Sequence, residues 1–141
     1  MKCSEAKTDE EILKCFPIMK LLRPHLAEGE FLDKVRRQMS GGYRIVYIET
    51  DGDICSLGGF RVGEFLAWGK ILYLDDLITD PSKKRNGYAG RIFDWLEEEA
   101  SRLECDEIHL DTGHQRHDAH RLYLNKGFLF SSHHVSKVLK E

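Results

Sequence analysis

Asp75 and Asp76 stand side by side in the run Lys70–Thr79 (KILYLDDLIT), where two carboxylates could serve an amine nucleophile. A carboxylate attracts the ammonium form and, directly or through a water, takes the proton that must leave before nitrogen attacks. Neighbours on a strand point to opposite faces unless the strand bulges, so at least one carboxylate is expected to face a cleft. A few residues on, Lys83, Lys84 and Arg85 precede Gly87-Tyr88-Ala89-Gly90. Cations before a glycine that opens a helix suit a compact polyphosphate. The first N–H groups of a helix lack intrahelical partners, the macrodipole adds partial positive charge there, and glycine lets an anion approach the backbone.

Some chemistries drop out by pattern. GxxxxGK[ST] is absent and no GxGxxG follows a suitable strand, which argues against nucleotide hydrolysis and dinucleotide binding. His109, His114, His117 and His120 raise a metal site as a rival, yet no cysteine or glutamate completes a zinc pattern such as HExxH, so no metal is expected. Cys3, Cys15, Cys55 and Cys105 form no CxxC pair, which fits a reducing compartment and offers no activated thiol.

The elements that must position these residues follow from periodicity. The segment Met1–Lys7 reads as an edge strand, and Thr8 or Asp9 as the cap of a helix carrying Ile12, Leu13, Phe16, Met19 and Leu22, which Pro17 should kink or split. A second helix is expected over Leu26–Met39, ended by Gly41-Gly42. Strand-type runs then flank the Asp51-Gly52-Asp53 turn, and Lys70–Thr79 supplies a third strand of an antiparallel meander. Residues Gly87–Leu103 read as a long amphipathic helix, Glu107–Asp111 as a strand, and Asp118–Asn125 as a short helix ending at Lys126-Gly127. Terminal strands are expected around Phe128–Phe130 and His134–Leu139. The order β-α-α-β-β-β-α-β-α-β-β implies one α/β (α+β) domain over 1–141, a mixed sheet covered by helices.

The loop Lys84-Arg85-Asn86-Gly87-Tyr88-Ala89 resembles the Q/R-x-x-G-x-G/A pyrophosphate loop of the GNAT N-acetyltransferases. LYLDDLITD resembles the fourth strand of that family, and Arg116–Phe128 resembles its later motif N-x-x-A-x-x-x-Y-x-x-x-G-F; together the segments lie between Leu72 and Phe128 in the family's order. Lys84 stands where the family usually has Gln or Arg, and Arg116 where it often has Asn. The resemblance implies the GNAT fold: a mixed, mostly antiparallel sheet of six to seven strands flanked by about four helices. It further implies acetyl-CoA as co-substrate and direct transfer to a primary amine, with no metal and no covalent enzyme intermediate.

Residue by residue, the resemblance places the backbone of Leu77, Ile78 and Thr79 along the pantetheine arm. Lys84, Arg85, Asn86, Gly87, Tyr88, Ala89 and Gly90 fall around the pyrophosphate, and Tyr123 falls where the family protonates the departing thiolate. A phenol suits that task, being neutral at pH 7 with one hydrogen to donate. Paired acids like Asp75 and Asp76 also occur in the polyamine-acetylating branch, which leans the acceptor toward a small amine, with protein lysine and N-terminus as further options. The alternatives are a non-catalytic acyl-CoA sensor and a histidine-rich metalloprotein.

Composition sets the outer bounds. At 141 residues with 41% hydrophobic and 32% charged residues, one ordinary globular core is expected. A net charge of −3 gives little to gain from a nucleic-acid backbone. No run approaches the ~20 apolar residues of a membrane span, so a cytoplasmic protein without membrane or nucleic-acid partners is expected, with a homodimer through the C-terminal strands possible.

Overall fold

A computed structural model describes residues 2–112 and 117–140, with the backbone alone at 117 and 118. Within these the chain forms two compact units, Met1–Leu110 and Asp111–Glu141.

The first unit opens with β1 (Cys3–Glu5), the edge strand expected. Thr8 then caps α1 (Asp9–Lys14): its hydroxyl accepts from the Glu11 N–H while the Glu11 carboxylate accepts from the Thr8 N–H, a reciprocal pair that satisfies two orphan donors. Pro17 splits the predicted first helix outright. It sits in the first turn of α2 (Phe16–Leu22), where its missing N–H costs nothing. α3 (Glu28–Ser40) follows and ends at the glycine pair, with Gly42 at φ 108°.

β2 (Arg44–Thr50) and β3 (Asp53–Phe65) form a hairpin whose turn holds Asp51 at φ 52° and Gly52 at φ 84°. This left-handed pair matches the twist of the strands it joins. β4 (Gly69–Thr79) returns antiparallel to β3, and the chain crosses through α4 (Tyr88–Arg102) to β5 (Glu107–Leu110), which pairs parallel to β4. The sheet order is β1-β2-β3-β4-β5. On one face Ile12, Phe31 and Val35 of the early helices close over Ile45, Tyr47 and Leu57; Ile92, Phe93 and Leu96 of α4 are fully buried, Ile92 against Gly58 on the other face.

In the second unit α5 (His117–Asn125) ends as expected: Gly127 takes φ 86°, and Phe128 N–H donates 3.0 Å to the Tyr123 carbonyl. The expected terminal strands do not form. Residues 128–140 adopt no regular structure, so the sheet among the described residues has five strands instead of six or seven. A strand is defined by its ladder partner as much as by its residues, and β-type composition at Phe128–Phe130 and His134–Leu139 supplies no partner by itself.

Candidate active site

A bulge in β4 organises the acidic pair. Gly59 pairs with Asp76 and Phe60 with Leu74, which leaves Asp75 as the extra residue on β4. The alternation of side chains fails there, and both carboxylates reach groups on the α1–α3 side of the sheet. Asp76 Oδ1 accepts from Arg23 Nε at 3.0 Å and Asp76 Oδ2 from the Tyr43 hydroxyl at 2.7 Å. Asp75 accepts from Arg61 Nε at 2.9 Å and from Arg61 Nη2 at 2.6 Å, and Arg61 also donates to Gln38 Oε1 at 2.8 Å. Arg23 Nη2 donates 3.0 Å to the Asp75 carbonyl, so the guanidinium sits on the bulge itself.

Neither acid is therefore an open carboxylate awaiting a cation. Burial raises the Asp75 carboxyl above the ordinary range, with Arg61 pulling it back. Burial, reinforced by the adjacent Asp76 charge, holds the Tyr43 phenol well above its usual range, which keeps it a neutral donor. Gly59 makes room for this pair: a Cβ there would fall inside the Tyr43 hydroxyl and 2.9 Å from Asp76 Oδ2.

Past the bulge the two edges of β4 differ. β3 stays paired through Thr79, whereas β5 ends at Leu110 opposite Leu74, so among the described residues one backbone edge of 75–79 has no strand beside it. Leu77 is buried, and the Ser56 hydroxyl donates to the Ile78 carbonyl at 3.2 Å and lies 2.9 Å from Thr79 Oγ1. These contacts fix the strand from its paired side and leave the other edge for an extended ligand.

Downstream, Asp80 turns the chain: its carboxylate accepts from Ser82 N–H at 2.9 Å, starting a single 3₁₀ turn over Pro81–Lys83. Lys84 is extended, then Arg85 at φ 69° and Gly87 at φ 78° both enter the left-handed region. A non-glycine residue held there costs of order 1 kcal/mol or more, and such strain concentrates at ligand-binding turns. Asn86 Nδ2 donates to the Lys83 carbonyl at 2.9 Å, bracing the loop. Gly87 precedes α4 with no side chain capping the helix, which leaves the first N–H groups of Tyr88, Ala89 and Gly90 for an anion. A strand edge leading into a helix start of this form suits a thiol arm ending in a diphosphate.

Tyr123 lies on α5, is 4% exposed, and meets Phe128 edge-on at 6.1 Å. His109 Nε2 lies 2.6 Å from Glu107 Oε1 with its ring 4.4 Å from that of Trp68, and His120 packs edge-on to Phe130 at 5.5 Å. Among the described residues no three His, Cys, Asp or Glu side chains come together as metal ligands. His114 and Arg116 lie outside the described residues, and the side chain of His117 is likewise undescribed.

Sequence reasoning missed Arg23, Tyr43, Gly59 and Arg61. A glycine pair inside a β-rich run was the one available signal, since strand glycines mark bulges or close approach; nothing local tied Arg23 to residues more than fifty positions away.

The mixed sheet and the helices that flank it are those of an acyltransferase. The model of the "Acetyltransferase (GNAT) family" matches residues 7–128, and the chain belongs to that family. An uncharacterized N-acetyltransferase, YhdJ, of Bacillus subtilis (strain 168) is 28% identical over 126 residues, covering 88% of this chain and 89% of that protein. An aminoalkylphosphonate N-acetyltransferase of Salmonella typhimurium is 30% identical over 66 residues, 47% of this chain and 43% of that one. Among solved structures, a ribosomal-protein-alanine N-acetyltransferase from Brucella melitensis biovar Abortus 2308 superposes with a TM-score of 0.82 at 12% identity, covering 98% of this chain and 100% of that chain. The aminoglycoside N-acetyltransferase AAC(6')-Iy in complex with CoA gives 0.81 at 12% identity, covering 97% and 94%. At these identities the structural likeness is one of fold. The chain is an N-acetyltransferase with acetyl-CoA as acyl donor, and no helix among the described residues is long and apolar enough to cross a membrane.

Proposed function

We propose that the protein transfers an acetyl group from acetyl-CoA directly to a primary amine, a small amine in preference to a protein lysine or N-terminus. The observation that carries the reading is the unpaired edge of β4 over 75–79 running into the uncapped start of α4. Backbone groups of Leu77, Ile78 and Thr79 hold the pantetheine arm as an added strand. Lys84, Arg85, Asn86, Gly87, Tyr88, Ala89 and Gly90 hold the diphosphate, mainly through N–H groups.

At the bulge, Asp75 or Asp76 takes the proton from the ammonium, directly or through a water. The freed nitrogen attacks the thioester carbonyl, the new C–N bond forms and the C–S bond breaks, the Tyr123 hydroxyl protonates the departing sulfur, and the second proton leaving the nitrogen restores the phenol by way of water. A backbone N–H beside the bulge stabilises the oxyanion. The small-amine preference is supported by the Salmonella typhimurium relative, whose name gives a small amine as acceptor. Free thiols at Cys3, Cys15, Cys55 and Cys105 support a cytoplasmic setting. The exposed apolar side chains of Leu129, Phe130, Val135, Val138 and Leu139 support pairing of two copies.

The test is thiol release from acetyl-CoA against pooled amines, with Tyr123→Phe alongside. Turnover that the variant loses supports the reading. Coenzyme binding with no turnover on any pool, indifferent to Tyr123→Phe, would make the protein a sensor.

A further inference from the structure

The charges at the bulge present themselves in an order the sequence does not suggest. Both oxygens of Asp76 are engaged and its side chain is 14% exposed; Asp75 is wrapped by Arg61 and is 20% exposed. Their cationic partners lie further out, with 42% of the Arg23 side chain and 37% of the Arg61 side chain exposed. A guanidinium carries five N–H donors in a fixed fork. Arg23 spends those of Nε and Nη2 on Asp76 and on the Asp75 carbonyl, and its Nη1 donates to no group among the described residues. Arg61 likewise leaves Nη1 without an acceptor there, its carbon lying 5.2 Å from the centre of the Tyr43 ring. The more exposed part of this cluster is thus its two guanidiniums, and the more covered part its carboxylates.

We propose that the acceptor is a short zwitterion, an amine carrying a carboxylate or phosphonate, whose anionic group binds Arg23 while its nitrogen reaches the β4 bulge. The inference rests on the donor site proposed above. Arg23 is suited to the task because Asp76 and the Asp75 carbonyl hold its fork rigid, and a fixed fork matches a planar or tetrahedral oxyanion. Its hydrogen bond to the bulge's own carbonyl keeps the anion subsite close to the bulge that the nitrogen must reach, which selects a short spacer. A purely cationic polyamine finds both carboxylates already paired, Asp76 with Arg23 and Asp75 with Arg61, and meets the more exposed guanidiniums first.

Matched acceptors test this. The rate of thiol release with β-alanine and with 2-aminoethylphosphonate is compared with that for 3-aminopropan-1-ol and for spermidine, on wild type, Arg23→Gln and Arg23→Lys, with acetyl-CoA binding measured on each protein by calorimetry. The wild type should favour the anionic acceptors by ~10- to 100-fold in kcat/KM, carried mostly in KM, the range of a charge-assisted hydrogen bond. Arg23→Gln should bring that ratio close to one, and Arg23→Lys should keep part of it. Because both acceptors of a pair feel any change at Asp76 alike, the ratio isolates recognition of the anion. Equal or better use of the neutral amine or of spermidine by wild type overturns the inference, as does an Arg23→Gln variant that slows both members of a pair equally. If acetyl-CoA fails to bind wild type, the donor-site reading fails and takes the inference with it; tight acetyl-CoA binding without preference for the anion overturns the inference alone.

Discussion

Tyr43 reaches Asp76 through space that any side chain at position 59 would fill. Gly59→Ala should therefore destabilise the protein by about 1–3 kcal/mol, the usual cost of forcing atoms into a packed site, and be read as a lower unfolding midpoint. Tyr43→Phe should cost a similar ~1–3 kcal/mol by leaving Asp76 Oδ2 without its donor. Tyr123→Phe belongs to a different class of effect. If its hydroxyl protonates the leaving sulfur, kcat should fall by roughly 10²- to 10⁴-fold while the acetyl-CoA dissociation constant stays within a few fold, measured by single-turnover kinetics and calorimetry. Of these residues, Asp75 and Asp76 stood out as adjacent acids in a strand-type run, and Tyr123 through the resemblance of Arg116–Phe128 to the family's later motif. Tyr43 and Arg23 were invisible because their roles come from long-range contacts with β4, and the exposure of cation over carboxylate exists only once the bulge is formed.

Each working part is held by a few named contacts between elements. α4, whose first turn carries the N–H groups proposed to hold the diphosphate, is fixed to the sheet by Glu99, which is 8% exposed and accepts from Arg44 of β2 and from Arg102 Nε at 2.7 Å. Arg44 also grips Glu5 of β1 with two bonds at 2.8 Å. The Arg102 hydrogen bond, with that of Arg44, holds the Glu99 carboxyl at about 2, below its ordinary 4.5. A depressed carboxyl stabilises the fold above its unfolded value and loses that contribution as pH falls through the folded one. The unfolding midpoint should thus drop between about pH 4.5 and pH 2, and Glu99→Gln should flatten that part of the profile in a pH series of melts. At the same helix, Gly87→Val forces a β-branched residue to φ 78°, and should weaken acetyl-CoA binding about tenfold or more while costing of order 1–3 kcal/mol in stability. The strand–loop–helix over 77–90 was legible in sequence because its signals are local: a proline after the strand, cations, then glycines before an amphipathic run. The terminal strands were misread because Phe128–Phe130 and His134–Leu139 have the right residues and no ladder among those described.

For the whole molecule, the element order through β5 follows from periodicity, and family membership from three motifs in the right order. Assembly is a separate matter. The pairing of two copies proposed above would use exposed apolar side chains here, Leu129 at 86% exposure and Val135 and Leu139 at 88%. Sedimentation equilibrium should return a dimer for the intact chain and a monomer for Val135→Glu/Leu139→Glu. The most direct measurement remains thermal unfolding with and without acetyl-CoA, followed on the same sample by thiol release with amines. A midpoint that rises with acetyl-CoA concentration, as linkage requires of a ligand bound by the native state, and thiol that appears only when an amine is added are the predicted results. No shift at millimolar acetyl-CoA, or thiol release that ignores the amine, would contradict the account.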